Sequence, residues 1–455
     1  MLVIISDLHL GDNTCARTLS PGAFHIFRDR LEELVEIASV RADGSYEPIR
    51  QIDLLLLGDV FELLHTTRWF ELSAPQREPL RPWDDPCQPD FTAKIQEITT
   101  GILEANAEGL GLLHKMARGE AISLPERDRR GRPRRSASER VPVKVSIHFM
   151  VGNHDWMYHL PGAEMDQVRL QIVQAMGLHN PPGPFPHEIG EIPFLGELCQ
   201  SHGVFARHGD IYDSFNYDQD KGRNASALGD VLSVELISRF PYLVEQRLQG
   251  FFSPSFFREL YEITNVRPSI AAPLWVSGKL QQSGGSLTHL RMIKEIWNEV
   301  VAEFLDLDFV RQQDMPGIPD IVDLLGAGLR LTRRVSFNRI NQLVAWLGKR
   351  RWREDFSLQE YALREEVFLN RQADFIVYGH THHHETVPLD TYYQGAEPVN
   401  QWLVNSGTWR VFYDLARRVP AAQAFMPYQV MTYLAFYRQN ERRGHPYEAW
   451  SGTLV

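Results

Sequence analysis

Five short apolar runs in this chain each end in the same kind of loop, and that coincidence limits the folds open to it. Leu2-Val3-Ile4-Ile5 passes into Ser6-Asp7-Leu8-His9, and Ile52-Asp53-Leu54-Leu55-Leu56-Leu57 into Gly58-Asp59. Residues 143–151 pass into Gly152-Asn153-His154-Asp155, and 204–207 into His208-Gly209-Asp210. Phe375-Ile376-Val377-Tyr378 passes into Gly379-His380-Thr381-His382. Runs of this length and composition, with no polar alternation, read as strands buried on both faces. An amphipathic helix is expected over 24–40, between the first two runs, and strand–helix–strand is the mark of an α/β unit. In open α/β sheets, functional groups collect outside the carboxyl ends of the strands. Packing of a core does not demand that every such end carry Asp, Asn or His.

The set gathered this way is Asp7, His9, Asp59, Asn153, His208, His380 and His382, with His154 and Asp155 beside it. Asp7/His9 and His380/His382 are i, i+2 pairs, a spacing that lets two side chains point to one place in extended or tightly turned backbone. Carboxylate, imidazole and one amide oxygen suit borderline or hard divalent ions such as Mn, Fe or Zn, with Mn favoured, and the lack of cysteine argues against a structural zinc site. Seven ligands are too many for one ion and fit two if a carboxylate is shared. Asp59, alone on its loop, is the natural bridge. Such a dinuclear centre activates water and clamps a phosphoryl group. His154 is then placed to protonate the leaving oxygen, with Asp155 to hold its imidazole. Taken singly, Asp7 and Asp59 read as helix caps, Asn153 as a turn residue and His208 as a half-buried histidine. His383, His384 and Asp210 are expected outside the ligand set, and Asn405-Ser406-Gly407-Thr408 reads equally as a plain turn or as a loop facing the site.

These five ordered motifs resemble those of the calcineurin-like metallophosphoesterases. The resemblance covers roughly residues 1–210 and 370–440 and implies a β-sandwich flanked by helices around a di-metal centre. It further implies one ion on Asp7, His9, Asp59 and His382, a second on Asp59, Asn153, His208 and His380, and His154 as the catalytic imidazole. His208-Gly209-Asp210 followed by Asp213 and Asp218, and the opening Ile5-Ser6-Asp7-Leu8-His9-Leu10-Gly11, are similar to the branch containing UDP-2,3-diacylglucosamine hydrolase. This chain departs from that branch in carrying His154 where arginine is usual there, and in a longer insertion. The expected reaction is hydrolysis of a phosphoester or pyrophosphate bond by a metal-bridging hydroxide. The alternatives are a nuclease of the same fold and a non-catalytic metal-binding interaction scaffold.

Length and composition set the frame for this reading. At 455 residues with 43% apolar and 23% charged residues, the chain has room for a sizeable core and an insertion. The expected division is 1–210 and 369–455 as two parts of one α/β (α+β) core, with 211–368 a mainly helical insertion packed as a cap. Helices are expected there over 287–305, 318–331 and 337–347, and Arg330, Arg333, Arg334 and the basic run 349–353 are candidate phosphate contacts. A net charge of −11 counts against nucleic acid as the main partner, while the arginine-rich stretch 127–140, expected as a solvated mobile loop, is the one candidate contact arm for it. The expected substrate is a phosphorylated small molecule or a nucleotide-linked compound. Cys15, Cys87 and Cys199 are too few and too scattered for a disulfide framework and are expected as buried or inert thiols. No apolar run is long enough for a signal-peptide core or a membrane span, so a cytoplasmic protein is expected, with peripheral membrane contact left open.

Overall fold

The computed structural model describes residues 1–72, 78–135, 139–267, 271–313, 326, 328–330, 358–416, 424–438 and 440–454. The strands are β1 (Leu2–Ile5), β2 (Gln51–Leu57), β3 (Ser123–Pro125), β4 (Arg140–Pro142), β5 (Lys144–Met150), β6 (Val204–Ala206) and β7 (Val266–Arg267). They continue with β8 (Phe375–Tyr378), β9 (His384–Gln394), β10 (Glu397–Ser406), β11 (Val411–Leu415), β12 (Phe425–Phe436) and β13 (Tyr447–Leu454). One mixed sheet has the order β5-β2-β1-β12-β11-β7, with β13 on the other edge of β12, and a second has the order β6-β8-β10-β9. The class is therefore α+β with mixed sheets.

All five apolar runs are strands, and their alternation explains why they are apolar throughout. Leu2, Ile4, Leu55, Leu57 and Met150 face the second sheet, meeting Val204, Ala206, Phe375, Val377 and Val404 in one cluster. Val3, Ile5, Leu54, Leu56, Val145 and Ile147 face the opposite way, into a cluster with the helices. Helix α1 (Pro21–Ala38) supplies Phe24, Phe27, Leu31, Leu34 and Val35 at helical spacing; Ser20 caps its N-terminus and Pro21 fits its first turn. Parallel β5-β2-β1 and parallel β6-β8-β10 both run so that their C-terminal ends deliver the candidate loops.

Several expectations change at this level. Helical spacing over 91–118 reads as a single helical stretch, but the structure has two helices there, α2 (Pro89–Ala105) and α3 (Ala107–Ala117). At the break, Asn106 donates from Nδ2 to the Gly11 carbonyl (2.9 Å) and accepts from Thr18 Oγ1 (2.7 Å), a tertiary anchor that local propensity does not record. The stretch around 66–89, whose Pro and Trp content reads as a surface excursion, buries Trp69 completely and packs Phe70 against Tyr242 (4.9 Å). The arginines of the arginine-rich stretch are exposed, as expected of a solvated loop, and those beside the β3–β4 hairpin reach the glutamates of the first α/β unit. Arg127 pairs with Glu47 (2.6 Å), Arg135 with Glu36 (2.8 Å) and Arg140 with Glu32 (2.8 Å).

Beyond α4 (Ala163–Met176) and α5 (Pro193–Gln200), the described residues between the fourth and fifth runs are mainly helical. Its elements α6 (Leu228–Val231), α7 (Arg239–Leu248), α8 (Pro254–Tyr261), α9 (Ala272–Gln282) and α10 (Leu287–Asp306) share an apolar cluster of their own. This region also lends β7 to the first sheet, parallel to β11, and Trp275 packs on Tyr413 (4.7 Å) and Phe425 (5.2 Å). Helical residues occur at 326 and 328–330, where Arg330 is exposed. The rest of 318–331, the helix expected over 337–347, and Arg333, Arg334 and 349–353 lie outside the described residues. All three cysteines are free; Cys15 and Cys199 are buried and Cys87 is exposed. No helix among the described residues is long and apolar enough to cross a membrane.

Candidate metal centre

The strand exits converge. Asp7 and His9 leave β1, Asp59 leaves β2, Asn153 and His154 leave β5, His208 leaves β6, and His380 and His382 leave β8. Donor atoms of Asp7, His9, Asp59 and His382 lie within 4.8 Å of one another, as do those of Asp59, His208 and His380. Asp59 belongs to both groups. His9 Nε2 is 3.0 Å from His382 Nε2 and 3.7 Å from Asp59 Oδ2; His208 Nε2 is 3.3 Å from Asp59 Oδ2 and 3.3 Å from Asn153 Oδ1. Asn153 Oδ1 also lies 3.0 Å from His380 Nδ1. All seven expected ligands are thus brought into one cage.

Two features of the cage fit cations. Asp7 Oδ1 and Asp59 Oδ2 are buried and take no hydrogen bond, although buried carboxylate oxygens are ordinarily satisfied. Each faces imidazole nitrogen instead, Oδ1 of Asp7 standing 3.2 Å from His382 Nε2. The imidazoles are also set by their outer nitrogens, as metal-ligating histidines usually are. His208 Nδ1 donates to the Leu57 carbonyl (2.8 Å) and His9 Nδ1 to Glu62 Oε2 (3.0 Å), which turns both Nε2 lone pairs inward. His380 Nε2 is held by Asp213 Oδ2 (3.1 Å), which turns its Nδ1 inward.

Backbone conformation bears the same mark. Asp7, His9, Asp59, His380 and His382 all have positive φ, making five of the nine such non-glycine residues among those described. The i, i+2 pairs therefore converge through left-handed turns, not through extended strand. Glycine is needed beside them: a methyl on Gly152 would collide with the Asp59 carboxylate and stand 2.7 Å from His208 Nε2.

Without cations, the cage balances its charge with protons. Burial pulls the His208 imidazole down, but Asp59 outweighs it and holds it up at about 10. Burial also opposes charge on His154, and Glu62 and Asp59 hold it up at about 9. His382 is pushed down to about 3 by burial, against the pull of Asp7. Burial resists ionisation of Asp7 and Asp59, yet the neighbouring imidazoles keep both below the usual carboxylate range.

His154 lies at the cage as expected, with its ring 4.6 Å from that of His9. Asp155 does not hold it. Asp155 Oδ2 instead accepts the backbone N–H of Val60 (2.8 Å) and Phe61 (3.1 Å), and Oδ1 that of Gly152 (2.7 Å), stitching two exit loops together. The partner of His154 Nδ1 is Glu62 Oε1 (2.8 Å), so one carboxylate orients both His154 and His9. Sequence reasoning missed Glu62, although it stands three residues after Asp59 in the same exit loop. It also missed Arg223, which bridges Asp210 and the Gly152 carbonyl, and the buried Arg410. Asp210 lies behind the cage, as expected of a non-ligand. His384 points its Nδ1 at the Asn405 carbonyl (2.7 Å), and Thr408 Oγ1 donates to the Asp7 carbonyl (2.8 Å), so the 405–408 turn braces the site. No protein-family model matches the chain, and no curated protein matches it.

Proposed function

We propose that the chain is a dinuclear metal-dependent phosphoesterase of the calcineurin-like type, its two facing sheets being that family's β-sandwich. The observation that carries this reading is the pair of unpartnered buried oxygens on Asp7 and Asp59, each set among inward-turned imidazoles, with Asp59 common to both groups. Asp7, His9, Asp59 and His382 would hold one divalent ion, and Asp59, Asn153, His208 and His380 the other, manganese being the favoured metal. Such a pair, when bound, supplies Lewis-acid activation of water and neutralises phosphoryl charge.

The chain's own residues do the rest. Glu62 accepts the Nδ1–H of His154, so Nε2 is the atom from which a proton passes to the leaving oxygen. In the metal-free cage Glu62 and Asp59 favour the charged form of that imidazole, the state a general acid requires. Asp213 and the Leu57 carbonyl keep His380 and His208 in their ligating tautomers. The substrate is a phosphoester or phosphoanhydride of a small molecule or nucleotide. Arg127, Arg135 and Arg140 pair with surface glutamates, and the acidity of the chain supports the small-molecule reading over the nuclease alternative.

The test is metal analysis with hydrolysis of nitrophenyl phosphate and bis(nitrophenyl) phosphate, with and without manganese. Two bound ions per chain and metal-dependent turnover are expected. A full metal complement with no turnover on either ester or on a nucleoside diphosphate would favour the scaffold alternative.

A further inference from the structure

Four lysine or arginine side chains are buried among the described residues: Lys94, Arg169, Arg223 and Arg410. Three make hydrogen bonds inside the protein. Lys94 bonds Glu97, Arg169 bonds the Tyr158 and Leu160 carbonyls and Asp166, and Arg223 bonds Asp210, His187 and the Gly152 carbonyl. The Arg410 guanidinium, on a residue only 8% exposed, makes no hydrogen bond or ion pair with any described residue. A largely buried guanidinium that bonds no carboxylate and borders a cleft is suited to an anionic ligand entering that cleft.

Its position indicates what that is. Arg410 lies on the loop between β10 and β11, which is pinned to the first strand exit by Trp409 N–H donating to the Asp7 carbonyl (3.2 Å). Its side chain lines a cleft with His9, Glu62, His65, Arg17 and Asn265, so the cleft opens from the His9 side of the cage. Asn265 Oδ1 is also buried there without a donor, its Nδ2 being spent on Glu262 (2.9 Å). An oxyanion carrying a nearby O–H or N–H would satisfy both groups.

We propose that Arg410 binds a second anionic group of the substrate, next to the phosphoryl group that the cage holds, so that the preferred substrates carry two oxyanions. This rests on the phosphoesterase reading for the first group only. Arg410 is a specificity-determining residue and not part of the metal cage. A charge-assisted, geometrically matched guanidinium contact makes the difference between one and two oxyanions about 10- to 100-fold in affinity.

The experiment is calorimetric titration of the manganese-loaded full chain, without free metal, using inorganic phosphate, methylenediphosphonate and phosphonoacetate. Wild type is expected to bind the two doubly anionic probes more tightly than phosphate. Arg410→Gln should weaken those two about 10- to 100-fold and phosphate by less than about threefold, with bound manganese unchanged. Arg410→Lys should keep part of the preference. The larger loss between diphosphonate and phosphonoacetate identifies the second group as phosphoryl or carboxylate. Equal weakening of all three probes, no weakening, or loss of manganese from both variants overturns the proposal. Turnover of phosphate esters without this preference sinks the Arg410 assignment alone; the preference without turnover sinks the catalytic reading alone.

Discussion

Replacing Glu62 by glutamine and Asp155 by asparagine separates the residue that orients the proposed general acid, His154, from the residue that only ties loops together. Glu62 presents Oε2 to His9 Nδ1–H and Oε1 to His154 Nδ1–H, with the backbone N–H of Leu64 and His65 also on Oε1. Glutamine has one oxygen. Whichever way its amide is turned, an NH2 faces one of the two Nδ1–H donors and drives that histidine to the wrong tautomer. Loss of such an outer partner costs about 10- to 100-fold in metal affinity or rate. The Glu62→Gln loss in kcat should reach that size on phenyl phosphate and be smaller on nitrophenyl phosphate, whose leaving group needs little protonation. In Asp155→Asn the amide oxygen can keep Val60 and Phe61, which leaves the buried Gly152 N–H without an acceptor. That costs about 1–3 kcal/mol of stability, read by chemical denaturation, with no dependence on the leaving group. If Asp155→Asn shows the leaving-group dependence and Glu62→Gln does not, the assignment of Glu62 is refuted.

Manganese added to metal-stripped protein should raise its unfolding free energy by about 2.7 kcal/mol for each site at a hundred times its dissociation constant, and Asp59→Asn should abolish the increase in a thermal-shift titration. Gly152→Ala should fold but fail to load metal, because its methyl would occupy space between Asp59 and His208; normal metal content by elemental analysis would contradict the cage geometry. Asp230, which accepts from Trp156 Nε1 (3.0 Å), is pushed up to about 7 by burial. A carboxyl raised in this way favours the fold fully below its unfolded pKa of 3.8, and that advantage is lost as pH rises to about 7. Asp230→Asn keeps an acceptor for Trp156 and should therefore flatten the fall in stability between pH 5 and 8 seen by denaturant titration.

What the sequence disclosed was whatever has a local signature. The apolar runs of β1, β2, β5, β6 and β8 are buried on both faces, so they show as uninterrupted hydrophobic stretches, and their exits carried the ligands. Strand β9 has the opposite character. Its residues are largely exposed, and Thr386, Asp390 and Thr391 give no hydrophobic period, so its pairing along β10 could not be seen. The two-residue β7 owes its existence to Tyr413 and Asp414 on β11 and has no signal of its own. Asp155 was mistaken for an orienting group because adjacency in sequence stood in for adjacency in space. The true partner, Glu62, comes from the neighbouring strand exit and is 92 residues away along the chain from His154.

The cage is also where the protein departs most from what its backbone would adopt elsewhere. Five ligands in left-handed conformation cost on the order of 1–3 kcal/mol each, and two carboxylate oxygens lie buried without hydrogen bonds. Surrounding structure must hold these residues in place before any ion arrives. The structure supplies the means: Asp7, His9 and Leu10 take backbone bonds from the 58–60 loop, Gly379 N–H bonds the His208 carbonyl, and Trp409 N–H bonds the Asp7 carbonyl. Each exit loop is thus fixed by another exit loop, so the ligand positions are set collectively. The consequence is specific to this arrangement. Loosening a loop tie that touches no ligand side chain, such as the Thr408 hydroxyl on the Asp7 carbonyl, should weaken metal binding more than it weakens the fold. Thr408→Val keeps the volume and removes that bond, together with the one the hydroxyl accepts from the Arg410 backbone N–H (3.2 Å), so bound manganese in it should fall by more than its unfolding free energy accounts for. A loss of stability with full metal retention would show that the ligands are held one by one.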